Sequence, residues 1–272
     1  MTIEELIVYG KKYLPSIEAK MLLIPITGYD TLNLLNHLDE LLDEEKVNNY
    51  KKLIEARLAD KPVQYILGNT VFYGLELFVN EDVLIPRFET EELVENTIKL
   101  IKTKFNKKLK VLDLCCGSGA IGLAIKSKVS NVDLTMSDIS SKALAITKKN
   151  CDNLKMTADI IESDLFQNIT GKFDVIISNP PYIAKDEKID DLVKNNEPSL
   201  ALYAEQGGLE FYERILKDIE KYLNKEYIIA LEIGCTQKNQ VIDIINKYLK
   251  NVTIISKQDL SERDRMIFIL NN

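Results

Sequence analysis

The chain has a single histidine, His37, and its four cysteines, Cys115, Cys116, Cys151 and Cys235, form no CxxC pair. Neither a zinc site nor a disulfide framework is therefore expected, and the thiols read as reduced and buried. Long apolar runs are also missing. None approaches the roughly 18 residues that a membrane span needs, so no membrane association is expected. The N-terminus, MTIEELIVYG, is acidic and amphipathic, where a signal peptide would be basic and then apolar, so a cytoplasmic location is expected. Positive charge is in short supply. The 35 Lys and Arg against 42 Asp and Glu leave a net charge of −7, which argues against affinity built mainly on neutralising phosphates and hence against an obligatory nucleic-acid partner.

What remains is an ordinary globular composition, 46% apolar and 28% charged over 272 residues. That length suits one large domain and a smaller one. Residues 1–60 carry a helical pattern: Thr2-Ile3-Glu4-Glu5 reads as a capping box, and Leu22, Leu23, Leu34, Leu35, Leu38, Leu41 and Leu42 recur at three- and four-residue spacing. Over residues 61–86 the period changes. The stretch from Val63 to Pro86 is rich in β-branched and aromatic residues, broken by Gly68 and Gly74, and reads as a β-hairpin linker. From residue 87 to 272 strands and helices alternate, beginning with an amphipathic helix bearing Leu93, Val94, Thr97, Ile98, Ile101 and Phe105. Such alternation implies an α/β fold with a Rossmann-like, mostly parallel sheet. The last two strands are joined by only KQDLSERD, too short for a parallel crossover, so they should pair antiparallel. The lysines at 99, 102, 104, 107, 108 and 110 read as a solvated helix end and loop.

The strand KVLDL runs into Cys115-Cys116-Gly117-Ser118-Gly119-Ala120-Ile121-Gly122. Glycines there permit a tight turn and close approach to a ligand, and a following helix N-terminus supplies donors. The GxGxxG spacing alone does not separate a dinucleotide site from a methyltransferase site. Asp138 closes the next strand, where a carboxylate meets the ribose hydroxyls of an adenosine-containing cofactor. Asp113, inside an apolar strand just before the glycines, would be costly unpaired and repulsive beside pyrophosphate. It suits a cationic, amino-acid-like ligand, and so favours S-adenosylmethionine. Asp164 ends the third strand and can accept from the adenine amino group, with Leu165 and Phe166 as candidates to pack on the ring.

After FDVIIS comes Asn179-Pro180-Pro181-Tyr182, at the carboxyl end of a strand where open α/β sheets bind ligands. Consecutive prolines stiffen the loop and remove two donors. A planar NH2 group needs two acceptors; the Asn179 side-chain oxygen and the Pro180 carbonyl can supply them while the Tyr182 ring stacks on the group. Adenine, guanine and glutamine all satisfy that requirement. A nicotinamide-dependent oxidoreductase gains nothing from Asp113 or the double proline.

Around these residues the chain resembles the release factor glutamine methyltransferases of the HemK/PrmC family. The resemblance is carried by Lys61-Pro62-Val63-Gln64-Tyr65-Ile66-Leu67-Gly68, by Ile85-Pro86-Arg87-Phe88-Glu89-Thr90-Glu91, by Asp113 to Gly119, by Asn179 to Tyr182, by Glu197-Pro198, by Leu231-Glu232-Ile233-Gly234, and by Asp259-Leu260 through Asp264-Arg265. It implies a class I methyltransferase sheet behind a helical domain that docks the substrate. It also implies S-adenosylmethionine contacts at Cys115, Cys116, Gly117, Ser118, Gly119, Asp138, Leu165 and Asn179, and substrate contacts at Asn179, Pro180, Pro181 and Tyr182. The implied substrate is the glutamine of the GGQ motif in class I peptide chain release factors, methylated by a monomeric enzyme on its side-chain amide nitrogen. A ribosomal-protein glutamine, or an exocyclic amino group of a nucleic acid, is the alternative target. Leu165 stands where the family commonly has an aromatic, and Phe88 where it usually has proline.

Overall fold

The computed structural model describes residues 1–271, the side chain of Thr31 excepted, and they group into two compact units: residues 1–69 with 190–196, and residues 70–189 with 197–271. The first contains α1 (Ile3–Gly10), α2 (Ser16–Met21), α3 (Ile24–Thr27), α4 (Thr31–Asn36), α5 (Glu44–Leu58) and α6 (Val63–Leu67). The capping box holds: the Thr2 hydroxyl accepts from the Glu5 amide at 3.2 Å, and the Glu5 carboxylate accepts from the Thr2 amide at 2.9 Å, so two orphan donors of the first turn are satisfied. Ile3, Leu6, Leu22, Leu23 and Leu34 surround Tyr50, all fully buried, and the Tyr50 hydroxyl donates to the Ala19 carbonyl at 3.0 Å. Of the periodic leucines, Leu35 and Leu41 instead face solvent.

The hairpin is shorter than the sequence pattern suggested. Val63–Leu67 forms helix α6, entered through Pro62 and stopped by left-handed Gly68; only β1 (Asn69–Phe72) and β2 (Leu75–Phe78) pair. They join through Tyr73 and Gly74, both at positive φ, as a two-residue hairpin turn matching strand twist requires.

In the second unit the chain continues through α7 (Phe88–Lys104), β3 (Leu109–Leu114), α8 (Ala120–Lys128), β4 (Val132–Asp138), α9 (Ser141–Leu154), β5 (Asp159–Glu162), β6 (Phe173–Ser178) and β7 (Ile183–Ala184). Helix α10 (Asp191–Asn196) belongs to the first unit. Then follow α11 (Ser199–Leu202), β8 (Tyr203–Ala204), α12 (Glu205–Gly208), α13 (Glu210–Asp218), β9 (Leu223–Glu232), α14 (Lys238–Tyr248), β10 (Val252–Gln258) and β11 (Asp264–Asn271). Seven strands form one sheet in the order β10-β11-β9-β6-β3-β4-β5, with β11 alone running opposite to the other six. Side chains alternate to the two faces along each strand, and helices packed on either side bury the central strands on both faces. Val111, Met136 and Ile177 pack with α7, α8 and α9, while Leu112, Leu114 and Ile176 pack with α13 and α14. Every residue of β6 is buried, and each large apolar side chain so placed stabilises by about 1.5–3 kcal/mol.

From β3 the chain moves through β4 to the β5 edge and then returns to β6 on the other side of β3. The order therefore reverses between β3 and β6, and a crevice opens at their carboxyl ends. Among the described residues no helix is long and apolar enough to cross a membrane, and no cluster of His, Cys, Asp and Glu has metal-holding geometry. All four thiols are free. Cys116 and Cys151 are buried, Cys115 is half-buried, and Cys235, contrary to expectation, is exposed. From the lysine run, Lys99 pairs with Glu95, Lys107 with Asp174 and Lys108 with Asp133.

Candidate active site

The loop after β3 turns through left-handed Cys115, Gly117 and Gly119, at φ of 62°, 54° and 80°. At Gly119 a Cβ would also press on the Thr147 methyl at 3.0 Å, so the position tolerates only glycine without displacement. The loop is held from behind. Asp138 accepts from the Gly117 amide through one oxygen and from the Ser140 amide through the other, both at 2.9 Å. Burial pushes its carboxyl up, against these amide bonds. From α9, Thr147 donates to the Gly117 carbonyl at 2.7 Å and Asn150 to the Ser118 carbonyl at 2.9 Å. Both residues are fully buried. Sequence reasoning missed them, although two polar residues three apart on an otherwise apolar helix face were a signal.

Asp113 lies behind the loop and is not part of the crevice wall. It is fully buried, and one oxygen accepts from the Gly122 amide at 2.8 Å, capping the start of α8. The other oxygen, Oδ1, has no partner among the described residues. Burial pushes the carboxyl up to about 7, against the Gly122 bond and with help from the nearby Asp138 charge. A buried acceptor without a donor is costly, and it sits directly under the glycine loop.

The crevice has a volume of about 470 Å³. Its walls include the loop from Cys115 to Ser118, Asp138, Ile139, Leu165, Asn179 and Pro181. Leu165, at a left-handed φ of 51°, is the member of the Leu165-Phe166 pair that reaches it. Phe166 instead stacks on Tyr222, ring centroids 4.4 Å apart. Asp164 reaches the wall, but Arg214 Nη2 already donates to both its carboxylate oxygens, at 2.6 and 2.7 Å. An acceptor role toward a ligand is thus left to its remaining lone pairs.

Asn179 and Pro181 line the crevice from the loop after β6, whereas the side chains of Pro180 and Tyr182 are not part of its wall. The Asn179 amide donates through Nδ2 to the Thr90 hydroxyl at 3.4 Å, and Thr90 donates to Glu232 Oε2 at 2.6 Å. Glu232 Oε1 accepts from the Tyr182 hydroxyl at 3.3 Å, and that hydroxyl accepts from Arg265 Nη1 at 3.4 Å. Arg265 is held in turn by Asp259 at 3.2 Å. Burial pushes the Glu232 carboxyl up, opposed by Thr90, Arg265 and Tyr182, and burial also pushes the Tyr182 phenol up. The Tyr182 carbonyl accepts from Gln237 Nε2 at 2.8 Å. Left-handed Gly208 lies against the same carbonyl so closely that a Cβ would collide with it. Buried Glu197 accepts from the Ile85 amide at 3.1 Å and pairs with Arg87, fixing the segment that leads into α7 and Thr90.

Residues 90–226 match the methyltransferase small domain, and residues 11–68 match the PrmC N-terminal domain. The chain is 40% identical to the release factor glutamine methyltransferase of Clostridium botulinum, over 92% of this chain and 90% of that one. It is 38% identical to the bifunctional methyltransferase of Rickettsia prowazekii over 94% of its own length, and spans about half, 53%, of that longer protein. A methyltransferase structure from Pyrococcus furiosus shares the fold, with a TM-score of 0.55 at 16% identity, covering 80% of this chain and 99% of the other.

Proposed function

The chain belongs to the family of release factor glutamine methyltransferases, and from that premise we propose that it methylates the side-chain amide nitrogen of the GGQ glutamine in class I peptide chain release factors. The donor is S-adenosylmethionine, the enzyme acts as a monomer in the cytoplasm, and nucleic acid is not required. Residues 87–272 carry out the transfer, residues 1–60 hold the release factor, and residues 61–86 join them.

The crevice suits the donor. Backbone from Cys115 to Ser118 lines it, Ile139 and Leu165 offer apolar walls, and Asp138 keeps lone pairs for a ribose diol after its two amide bonds. In its ionised form the Asp113 carboxylate beneath the loop, one oxygen of which has no partner among the described residues, adds negative potential that favours a cation. When bound, S-adenosylmethionine would supply an electrophilic sulfonium methyl and leave as S-adenosylhomocysteine; the substrate amide nitrogen is the nucleophile and gives up one N–H hydrogen as a proton in exchange for the methyl, so no side-chain nucleophile has to be activated.

The observation that carries the proposal is the orientation of Asn179. With its NH2 end on Thr90, its Oδ1 is the end left to accept from a substrate. The second acceptor in this proposal is the Pro180 carbonyl, in the backbone between the wall residues Asn179 and Pro181, to which no described group donates. Two acceptors fix both hydrogens of a planar amide and aim its nitrogen. Such orientation is worth on the order of 7 kcal/mol at the low end of intramolecular precedents. An amide nitrogen is a weak nucleophile, and partial negative charge around its hydrogens favours the transition state, where that nitrogen grows more positive. The stiff double proline keeps these acceptors in place without reorganisation.

Incubating the protein and labelled S-adenosylmethionine with a class I release factor, and in parallel with RNA and DNA at low salt, tests the proposal. Label is expected on the release factor alone. Label on nucleic acid and none on the release factor overturns it.

A further inference from the structure

We propose that Glu232 is a positioning residue which, through Thr90, sets the end of the Asn179 amide that faces the substrate. The proposal rests on the methyl-transfer reading of the site. An amide side chain has almost the same shape after a half-turn about its last bond, so packing alone does not choose between its oxygen and NH2 ends; the donor or acceptor character of its neighbours does. Thr90 by itself would not choose, because a hydroxyl can donate or accept. Its single hydrogen is committed to Glu232 Oε2 at 2.6 Å, and an ionised carboxylate only accepts. The Thr90 oxygen is then an acceptor toward Asn179, and the Asn179 NH2 group meets it at 3.4 Å. A flipped amide would set oxygen against oxygen.

The same carboxylate serves the far end of the loop. Glu232 Oε1 accepts from the Tyr182 hydroxyl, and Arg265, anchored by Asp259, donates to that hydroxyl from the other side. From Asn179 through Thr90, and from Arg265 through Tyr182, each hydrogen bond runs toward Glu232. The carboxylate lies at the carboxyl end of β9, which pairs in parallel with β6, the strand that leads into Asn179. It is only 2% exposed, so water does not compete for these bonds; burial pushes the carboxyl up, and the Thr90 and Tyr182 hydrogen bonds together with the positive Arg265 guanidinium work against that by favouring the ionised form. Residues distant in sequence, Thr90 at the start of α7 and Glu232 at the end of β9, thereby dictate what Asn179 presents to the crevice.

Thr90→Val keeps the shape and removes the hydroxyl; Glu232→Gln keeps the shape and lets a donor face Thr90. Each is expected to lower kcat about 10-fold or more, as losing a hydrogen bond that is tied to a charge does, while the KM for S-adenosylmethionine stays within about 2-fold. Thr90→Ser should restore turnover, and the double variant should be no worse than Thr90→Val alone. In 15N-labelled protein without cofactor, the Asn179 Nδ2 resonance, identified by its absence in Asn179→Asp, should shift in Thr90→Val and Glu232→Gln and return in Thr90→Ser. An unmoved resonance, or Thr90→Val turnover near that of the unaltered protein, overturns the proposal. If the unaltered protein labels no release factor, the proposed function fails, and the resonance still decides the positioning role.

Discussion

In the proposed mechanism Asn179 contributes an acceptor and moves no proton, so its loss should leave cofactor binding largely intact and strike the transfer step. Asn179→Ala is expected to lower kcat about 100-fold, comparable to removing one group of a preorganised electrostatic site, with a much smaller change in cofactor KM. Steady-state kinetics checks this, and near-normal turnover would contradict the acceptor role. Asp113 makes a different claim. Its carboxyl lies at about 7 in the folded chain against an ordinary 3.8, so across that interval the folded state binds the proton that the unfolded state has lost. The contribution is therefore full below pH 4 and disappears as pH rises through 7. Thermal unfolding from pH 4 to 8 should show stability falling by on the order of a few kcal/mol more than in Asp113→Asn. Parallel profiles for the two proteins would contradict it.

At the scale of elements, the segment Glu205–Gly208 is a seat for the loop after β6. Gly208→Ala puts a side chain on a left-handed residue and into the Tyr182 carbonyl, a combination costing about 2–5 kcal/mol. A fall in Tm of several degrees is expected together with reduced turnover, and an unchanged Tm would contradict the contact. The elements legible in the sequence were those written locally: the alternation of strands and helices, the short connection before β11, the glycine turn after β3 and the stiff Asn179–Tyr182 loop. What was not legible depends on partners far along the chain. Val63 to Leu67 look like strand because Val, Tyr and Ile fit a pleated surface, yet Pro62 and Gly68 bracket a single helical turn there. Asp164 reads as a free acceptor until Arg214 is seen to occupy it, and Phe166 reads as a ring for the ligand until Tyr222 takes its face. Thr90 and Glu232 lie 142 residues apart; no spacing rule joins them, and only the packing of α7 against β9 does. Leu35 and Leu41 match the helical period and still face solvent, since a period marks a stripe and not its edges.

For the whole molecule, the question is what presents the planar nitrogen. The crevice and the loop after β6 would orient an adenine, a guanine or a glutamine alike, and it is the helical residues 11–68, matched to the PrmC N-terminal domain, that argue for a protein. A net charge of −7 works in the same direction, because a polyanion would be repelled over most of the surface. The most direct measurement is tandem mass spectrometry of a class I release factor after incubation with the protein and S-adenosylmethionine. The expected result is one added methyl group, located on the side-chain nitrogen of the GGQ glutamine; methylation at any other residue, or none at all, contradicts the assignment.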